Sequence, residues 1–211
     1  MTSTQDIAKT LRAEILAGAI APGQELRQEE LAARFHVSRM PIRDALNMLS
    51  CDRLITLRPN RGGRVVVLTE AELEEVFELR IVLEVDVLQR ALKNIDDQSL
   101  AHIKREMRRC ELEAGSYSFP EADWRFHCAL YTPANRNRQI DIIRQLRDVC
   151  QLHQAAYYEL RKSEKMWSVD HEKIVEAIEL GNTKLAASAL AAHIKEAGYQ
   201  LKLALANRSD T

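Results

Sequence analysis

The chain has 211 residues, which is long enough for two small domains. Its formal net charge is −1. It shows no signal peptide and no apolar run long enough to span a membrane, and these features predict a cytoplasmic protein without a membrane partner. The four cysteines are scattered without a Cys-x-x-Cys pair, which favours free thiols over a disulfide framework.

The N-terminal third predicts three helices, the first over 6–18 and the next two within 30–49. The last two are joined by a tight turn at His36-Val37, and Ser38 is a favourable N-cap for the helix that follows. Near its N-terminal end this helix carries two arginines on one side, Arg39 and Arg43. A helix-turn-helix inserts that end of its second helix into the major groove of DNA, so this segment predicts a DNA reader.

A β-hairpin is predicted after the second helix of this motif. Residues 54–57 and 64–67 favour strands, and the segment between them is rich in turn-forming residues. The predicted tip carries three arginines: Arg58, Arg61 and Arg64. Gly62 and Gly63 allow positive φ and a close approach of the backbone to a phosphate or to the minor groove.

These features resemble the winged helix-turn-helix of the GntR family through residues 5–68. The resemblance rests on Pro22, Gly23, Leu26, 29–32, 37–39, Pro41, Arg43, Ala45, Leu46, Leu54, Ile55 and 60–62. It implies DNA contacts from Arg39, Arg43, Arg61 and Gly62, and we expect Ser38, Met40 and Arg58 to belong to the same DNA-binding surface. Two residues depart from the family pattern. His36 replaces the usual Gly, although His tolerates left-handed geometry well, and Met40 replaces a small polar residue, which bears on the operator sequence.

From Thr69 onward the sequence favours helices. We predict six of them, near 70–93, 97–114, 119–132, 136–162, 167–180 and 183–206, packed as an antiparallel bundle. The predicted protein is therefore mostly α, with a winged helix-turn-helix domain at 1–68 and an all-helical domain at 69–211. The charge balance is +3 in residues 1–68 and −4 in the remainder, as expected for a DNA-binding domain attached to an acidic regulatory one.

The helical domain contains four residues of metal-binding type. Asp123 and His127 are four residues apart, so their side chains share one face of a helix. His171 and His193 flank a break at Gly181-Asn182, about eleven residues to either side, which in a helical hairpin places them at the same level. A carboxylate with three imidazoles suits a first-row divalent metal with open positions. Each histidine alone is more often a packed or exposed residue than a ligand.

This region also resembles the FCD ligand-binding domain, and its six predicted helices suggest the VanR-like branch. The resemblance rests on Glu78, Leu79, Arg80, Glu84, Asp123, Phe126, His127, Asn135, His171, Ile174, Gly181, Asn182, Ala186, His193 and Ile194. It implies a divalent transition metal, with Zn or Ni favoured, at Asp123, His127, His171 and His193. It also implies a small organic acid as effector, bound by Arg80 and Asn135. The alternative for Arg80 is an ion pair with Glu84, four residues along the helix.

The leading functional hypothesis is a DNA-binding repressor whose operator binding is controlled by a small carboxylate metabolite at the metal site. One recognition helix covers only a few base pairs, so we expect a homodimer on a pseudo-palindromic operator. A second hypothesis is a sensor of the metal ion itself. A third is a metal-dependent hydrolase, but no spare carboxylate is evidently paired with the motif as a general base.

Overall fold

A computed structural model describes residues 3–59, 61–116, 118–153 and 164–209. These residues are mostly helical, and the chain divides into two compact units. The N-terminal unit comprises Met1–Thr69 and Asp148–Ala155, and the C-terminal unit comprises Glu70–Arg147 and Ala156–Thr211. Within the described ranges, every helix is too short or too polar to cross a membrane.

The N-terminal unit has the predicted winged helix-turn-helix fold. Its elements are α1 (Thr4–Leu16), β1 (Glu25–Arg27), α2 (Gln28–Phe35), α3 (Arg39–Cys51), β2 (Ile55–Arg58) and β3 (Gly62–Val65). Helices α2 and α3 form the helix-turn-helix, and the three strands form an antiparallel sheet in the order β1-β3-β2. We call β2, β3 and the loop between them the wing. Asn60, at its predicted tip, lies outside the described residues.

Local sequence sets the ends of the first three helices. Ser3 and Asp6 form a capping box at the start of α1, each side chain bonding the other residue's backbone N–H. His36 ends α2 with φ 54° and ψ 44°, the left-handed geometry expected for this position. Ser38 occupies the N-cap position of α3, but within the described structure its side chain makes no capping hydrogen bond. The turn at His36, rather than a side-chain cap, therefore defines where α3 begins.

The structure corrects the predicted wing. Strand β1 was not predicted, and β3 begins at Gly62, two residues before the predicted start. Gly62 has φ 119°, and a Cβ at this position would lie 2.0 Å from the carbonyl oxygen of Leu26. The pairing of β3 with β1 therefore requires this glycine, because any side chain would collide with the β1 backbone.

The core of the N-terminal unit is formed mainly by α1 and α3 against the sheet. Its fully or nearly buried residues include Ile7, Leu11, Ile15, Ile42, Leu46, Leu49, Leu54, Ile55 and Val65. Val149 and Leu152, distant in sequence, join the same core. The helix predicted over 136–162 accordingly ends at Gln151, where the chain turns so that Leu152 and His153 are buried. Predicted positions 154–162 lie outside the described residues.

The C-terminal unit is a helical bundle. Its helices are α4 (Glu70–Ala91), α5 (Asp97–Glu113), α6 (Phe119–Tyr131), a 3-10 turn (Thr132–Ala134), α7 (Asn137–Gln151), α8 (Glu164–Glu179) and α9 (Thr183–Ser209). The last residues of α7, from Asp148 onward, belong to the N-terminal unit. Helix α9 packs against α4 and α8, while α5 packs against α6. At Gly198 the approach is close, since a Cβ there would lie 2.9 Å from the Phe77 ring. This packing brings one face each of α6, α8 and α9 into the interior.

Candidate functional site

The N-terminal half of α3 presents polar and flexible side chains to solvent. Arg39 and Arg43 are 67% and 60% exposed at their side chains, and Met40 is 65% exposed. Ser38 is also exposed. The opposite side of the helix, with Ile42 and Leu46, is fully buried in the core. The helix therefore has one face that holds the fold and another that is free to meet a partner.

The arginines of this face and of the wing take part in weak surface contacts. Three of them pair with exposed carboxylates: Arg39 with Glu29 at 2.7 Å, Arg58 with Glu25 at 2.9 Å, and Arg43 with Asp44 at 3.6 Å. Arg64 instead donates from Nε to the carbonyl of Gly23 at 2.7 Å, while Arg61 is exposed. Exposed ion pairs contribute roughly 0–1 kcal/mol, so DNA phosphates could replace these partners at little cost.

The four residues of metal-binding type lie together inside the C-terminal unit. Asp123 and His127 come from α6, His171 from α8 and His193 from α9. One donor atom from each lies within 4.8 Å of the other three. The rings of His171 and His193 have centroids 4.7 Å apart, and those of His127 and His193 are stacked at 5.3 Å. We call these four residues the His/Asp cluster.

Three ring nitrogens of the cluster lack hydrogen-bond partners within the described structure: Nε2 of His127, Nε2 of His171 and Nδ1 of His193. The first two lie 3.7 Å and 3.4 Å from Oδ1 of Asp123, too far for a good hydrogen bond. A buried polar atom without a partner costs free energy, roughly 1–3 kcal/mol in protein mutants. Nδ1 of His193 instead faces Asp170, whose Oδ2 is 3.8 Å away. A divalent ion beside Asp123 would supply the partner that the two Nε2 atoms lack, so the residues fit such a metal.

At Asp123, His127 and His193 the electrostatics favour the protonation states that a metal requires. Burial, helped by the nearby Arg147 guanidinium, moves the pKa of His127 well below its ordinary value. Burial likewise lowers the pKa of His193. Burial alone would raise the pKa of Asp123, but Arg147 and the neighbouring imidazoles outweigh it and bring that pKa well below the ordinary value. Neutral imidazoles with an ionised carboxylate are the forms that bind metal.

Two residues around the cluster, Arg147 and Tyr131, were not singled out from the sequence. Glu84 was named there, in the FCD resemblance and as a possible partner of Arg80, but not as a neighbour of the cluster. The Arg147 guanidinium pairs with Oδ2 of Asp123 through Nη2 and reaches Oε2 of Glu84 through Nη1 at 3.3 Å. Tyr131 donates its hydroxyl proton to Glu84 at 2.6 Å. Arg147 lies on a different helix from Asp123, 24 residues away, so no local spacing could have linked the two.

Two protein families match this chain over most of its length. Residues 3–65 match the gntR family of bacterial regulatory proteins, and residues 75–196 match the FCD domain. The chain belongs to the GntR family, with a C-terminal FCD domain. Since these families and the matched relatives are transcription regulators, this GntR-family protein is a regulator and not an enzyme, which removes the hydrolase hypothesis.

Relatives of this GntR-family regulator include named repressors. The gluconate operon transcriptional repressor of Bacillus licheniformis is 31% identical over 179 residues, covering 82% of this chain and 72% of that protein. The transcriptional repressor RspR of Escherichia coli K12 is 26% identical over 209 residues, covering 98% and 92%.

Solved structures share the fold of the regulator. E. coli McbR/YncC superposes with a TM-score of 0.80 at 21% identity, covering 93% of this chain and 95% of that one. A GntR transcriptional regulator from Rhodococcus sp. RHA1 gives a TM-score of 0.78 at 25% identity, covering 94% and 96%.

The two predicted effector-binding residues of the regulator have different surroundings. Arg80 is buried, donates from Nε to Glu84 at 2.7 Å and lies over the Phe77 ring, so the ion pair considered from the sequence is present. Asn135 is exposed and ends the 3-10 turn in a left-handed conformation with φ 54°. Neither belongs to the His/Asp cluster, and an effector role for both remains a prediction.

Proposed function

We propose that this GntR-family protein is a transcriptional repressor whose operator binding is controlled by a small organic acid at a metal site. The observation that carries the proposal is the convergence of Asp123, His127, His171 and His193 with ring nitrogens left unpartnered. The donor set suits Zn or Ni. A bound ion would supply open coordination positions that a carboxylate oxygen can occupy.

The charge beside the cluster supports a carboxylate as the effector. Arg147 has a planar guanidinium that can hold a carboxylate through two N–H donors, and its side chain is 13% exposed. Its present partners are the carboxylates of Asp123 and Glu84. The carboxylate of an entering acid could accept hydrogen bonds from the Arg147 guanidinium as these two carboxylates do. Arg80, which also pairs with Glu84, is the further cation that the sequence predicted for the acid.

The N-terminal unit supplies the proposed reading of DNA. Its proposed recognition residues are Ser38, Arg39, Met40 and Arg43 on α3, with Arg58 and Arg61 on the wing. Gly62, the further contact expected from the sequence, is buried where β3 pairs with β1. Exposure of the arginines and of Met40 supports this assignment. Because one α3 reads only a few base pairs, we propose that two copies bind a pseudo-palindromic operator as a homodimer. Sedimentation of the full chain should give a dimer at micromolar concentration, and a strict monomer there would contradict this part.

Helix α7 offers a route by which the acid could alter DNA binding. Arg147 contacts Asp123, and the next residue, Asp148, pairs with Arg12 of α1 inside the N-terminal unit. Arg12 also pairs at 2.7 Å with Asp52, the residue that ends α3. An effector acts only through different affinities for two conformations, typically with about 1–3 kcal/mol of coupling. We propose that movement of Arg147 biases the position of α3 through this helix.

The decisive experiment titrates operator binding by the full-length protein, first with metal alone and then with candidate organic acids at fixed metal. Elemental analysis accompanies each point. We expect at least one acid to change operator affinity about 5–150-fold in the presence of metal and not in its absence. Bound metal without a response to any acid would contradict the effector proposal, whereas absence of metal would contradict the site itself.

The same titration tests a second candidate, a sensor of the metal ion. The observation that favours it is the ion pair between Arg147 and Oδ2 of Asp123, because a metal at the other oxygen, Oδ1, would withdraw negative charge from the carboxylate that holds Arg147. In that case metal alone changes operator affinity, and acids at fixed metal add nothing.

A further inference from the structure

The ring nitrogen of His127 that faces away from Asp123 has a defined partner. Nδ1 lies 3.0 Å from the hydroxyl oxygen of Tyr131, four residues later on α6, and both side chains are fully buried. Residues four apart on a helix lie on one face, so this contact follows from local geometry. The other nitrogen, Nε2, has no hydrogen-bond partner among the described residues and lies 3.7 Å from Oδ1 of Asp123.

The direction of this hydrogen bond is set by Glu84, on α4. Its two carboxylate oxygens receive Nε of Arg80 at 2.7 Å, Nη1 of Arg147 at 3.3 Å and the Tyr131 hydroxyl at 2.6 Å. With two guanidinium groups beside it, Glu84 is ionised and can only accept. Tyr131 has a single proton and donates it to Glu84, so its oxygen accepts from His127. The proton of the neutral imidazole is then on Nδ1, and the lone pair is on Nε2.

We propose that Tyr131, held by Glu84, is a positioning residue that fixes the tautomer and ring orientation of His127 and so makes Nε2 its metal-binding atom. This inference rests on the proposed metal site. Metal-bound histidines commonly donate their other N–H to an outer partner, and losing such a partner typically costs 10–100-fold in metal affinity. Here the hydroxyl separates the imidazole from the charge of Glu84, which lies 3.9 Å from Nδ1.

His193 provides an internal contrast within the same cluster. Its Nδ1 lies 3.8 Å from Oδ2 of Asp170, beyond hydrogen-bonding distance, and has no hydrogen-bond partner among the described residues. Among the described residues, Asp170 is therefore a more distant partner for this ring than Tyr131 is for His127. The proposal predicts that loss of the Tyr131 hydroxyl disturbs His127 selectively.

The test combines nitrogen-15 NMR of the imidazoles in the metal-free protein with zinc affinity measured against a chelating competitor. In the parent protein we expect His127 as a single tautomer protonated on Nδ1, with its signals assigned by their loss in His127→Asn. In Tyr131→Phe this tautomer should lose its dominance, and zinc should bind about 10–100-fold more weakly. Tyr199→Phe is the matched control, because Tyr199 is 56% exposed on α9, and it should leave both measurements unchanged.

Several results would overturn the inference. The inference is overturned if His127 of the parent protein is protonated on Nε2. This result needs no variant, so it remains decisive even if Tyr131→Phe fails to fold. A Tyr131→Phe protein that retains the parent tautomer, or the parent zinc affinity, also overturns it. Failure of the proposed metal site looks different, since the parent would bind no zinc while His127 remained protonated on Nδ1. That result would refute the role of Nε2 as a ligand and leave only the tautomer assignment.

Discussion

Arg39, Met40 and Arg43 form the proposed recognition face of α3, and this face and the His/Asp cluster place polar side chains in opposite surroundings. Arg39 and Arg43 are mostly exposed, and so are the carboxylates that pair with them. Three histidines of the cluster are buried, and the neighbouring Glu84 and Tyr131 are fully buried as well. Exposed charges add little to stability, whereas buried polar groups are costly unless their surroundings provide partners.

This difference determines how much structure each site requires. The recognition face needs one helix held by its apolar side, and because its arginines are exposed we expect that they can be changed without loss of fold. The cluster needs three helices in register, a fourth that provides Glu84 and a fifth that provides Arg147. Substitutions in the recognition face should therefore change DNA binding with little change in stability. Substitutions in the His/Asp cluster should change metal binding and stability together.

The largest expected effect tests whether the two faces of α3 have separate roles. Leu46→Ala removes a fully buried side chain behind the recognition residues and should lower the free energy of unfolding by about 2–5 kcal/mol. Met48→Ala, on the same helix but 43% exposed, is the control and should change stability little. Urea unfolding measures both. Equal stabilities of the two variants would contradict the division of α3 into a core face and a contact face.

A second prediction concerns His171, which is 1% exposed in the cluster. His171→Ala should weaken zinc or nickel binding by at least about 100-fold, or roughly 2.8 kcal/mol. The loss of a ligand should exceed the loss of an outer hydrogen-bond partner, which typically lowers metal affinity about 10–100-fold. Metal-free operator binding should persist, since α3 and the wing are unchanged. His102→Ala is the control, because the His102 side chain is 51% exposed and outside the cluster. Full metal occupancy in His171→Ala, by elemental analysis, would remove His171 from the ligand set.

The third prediction separates two kinds of arginine on the DNA-binding surface. Arg43→Ala should weaken specific binding and relax base discrimination, since a bidentate arginine–guanine contact contributes about 1–3 kcal/mol. Arg58→Ala should weaken binding to all sequences alike and reduce the salt slope by about one unit. Operator and random DNA titrated over a salt series measure both effects. If both variants behave like the parent, these residues do not contact DNA.

The smallest expected effect compares two serines at N-cap positions. Ser3→Ala removes a capping box and should cost about 1 kcal/mol of stability, whereas Ser38→Ala removes no capping hydrogen bond and should cost less than about 0.5 kcal/mol. Thermal unfolding compares the two variants under identical conditions. A larger loss for Ser38→Ala would show that its hydroxyl does cap α3.

Much of the architecture was accessible from sequence because it depends on short spacings. Apolar periodicity indicated the helix-turn-helix and most of the bundle helices, and the geometry of His36 followed from its turn position. Strand β1 was missed because three residues carry too little periodicity. The end of α7 was misplaced because Leu152 and His153 are buried in a unit formed by distant sequence, which no helical pattern reveals.

The sequence by itself determined the helix-turn-helix and identified the four residues of the His/Asp cluster. Asp123 and His127 are linked by one helical turn, and His171 and His193 by a hairpin, so both pairs follow from local spacing. Only the tertiary structure decided that the pairs meet, that Arg147 and Glu84 adjoin them, and that Gly62 serves the β1 pairing. Such contacts join residues on different elements, and their distances depend on how whole helices and strands pack rather than on spacing along the chain.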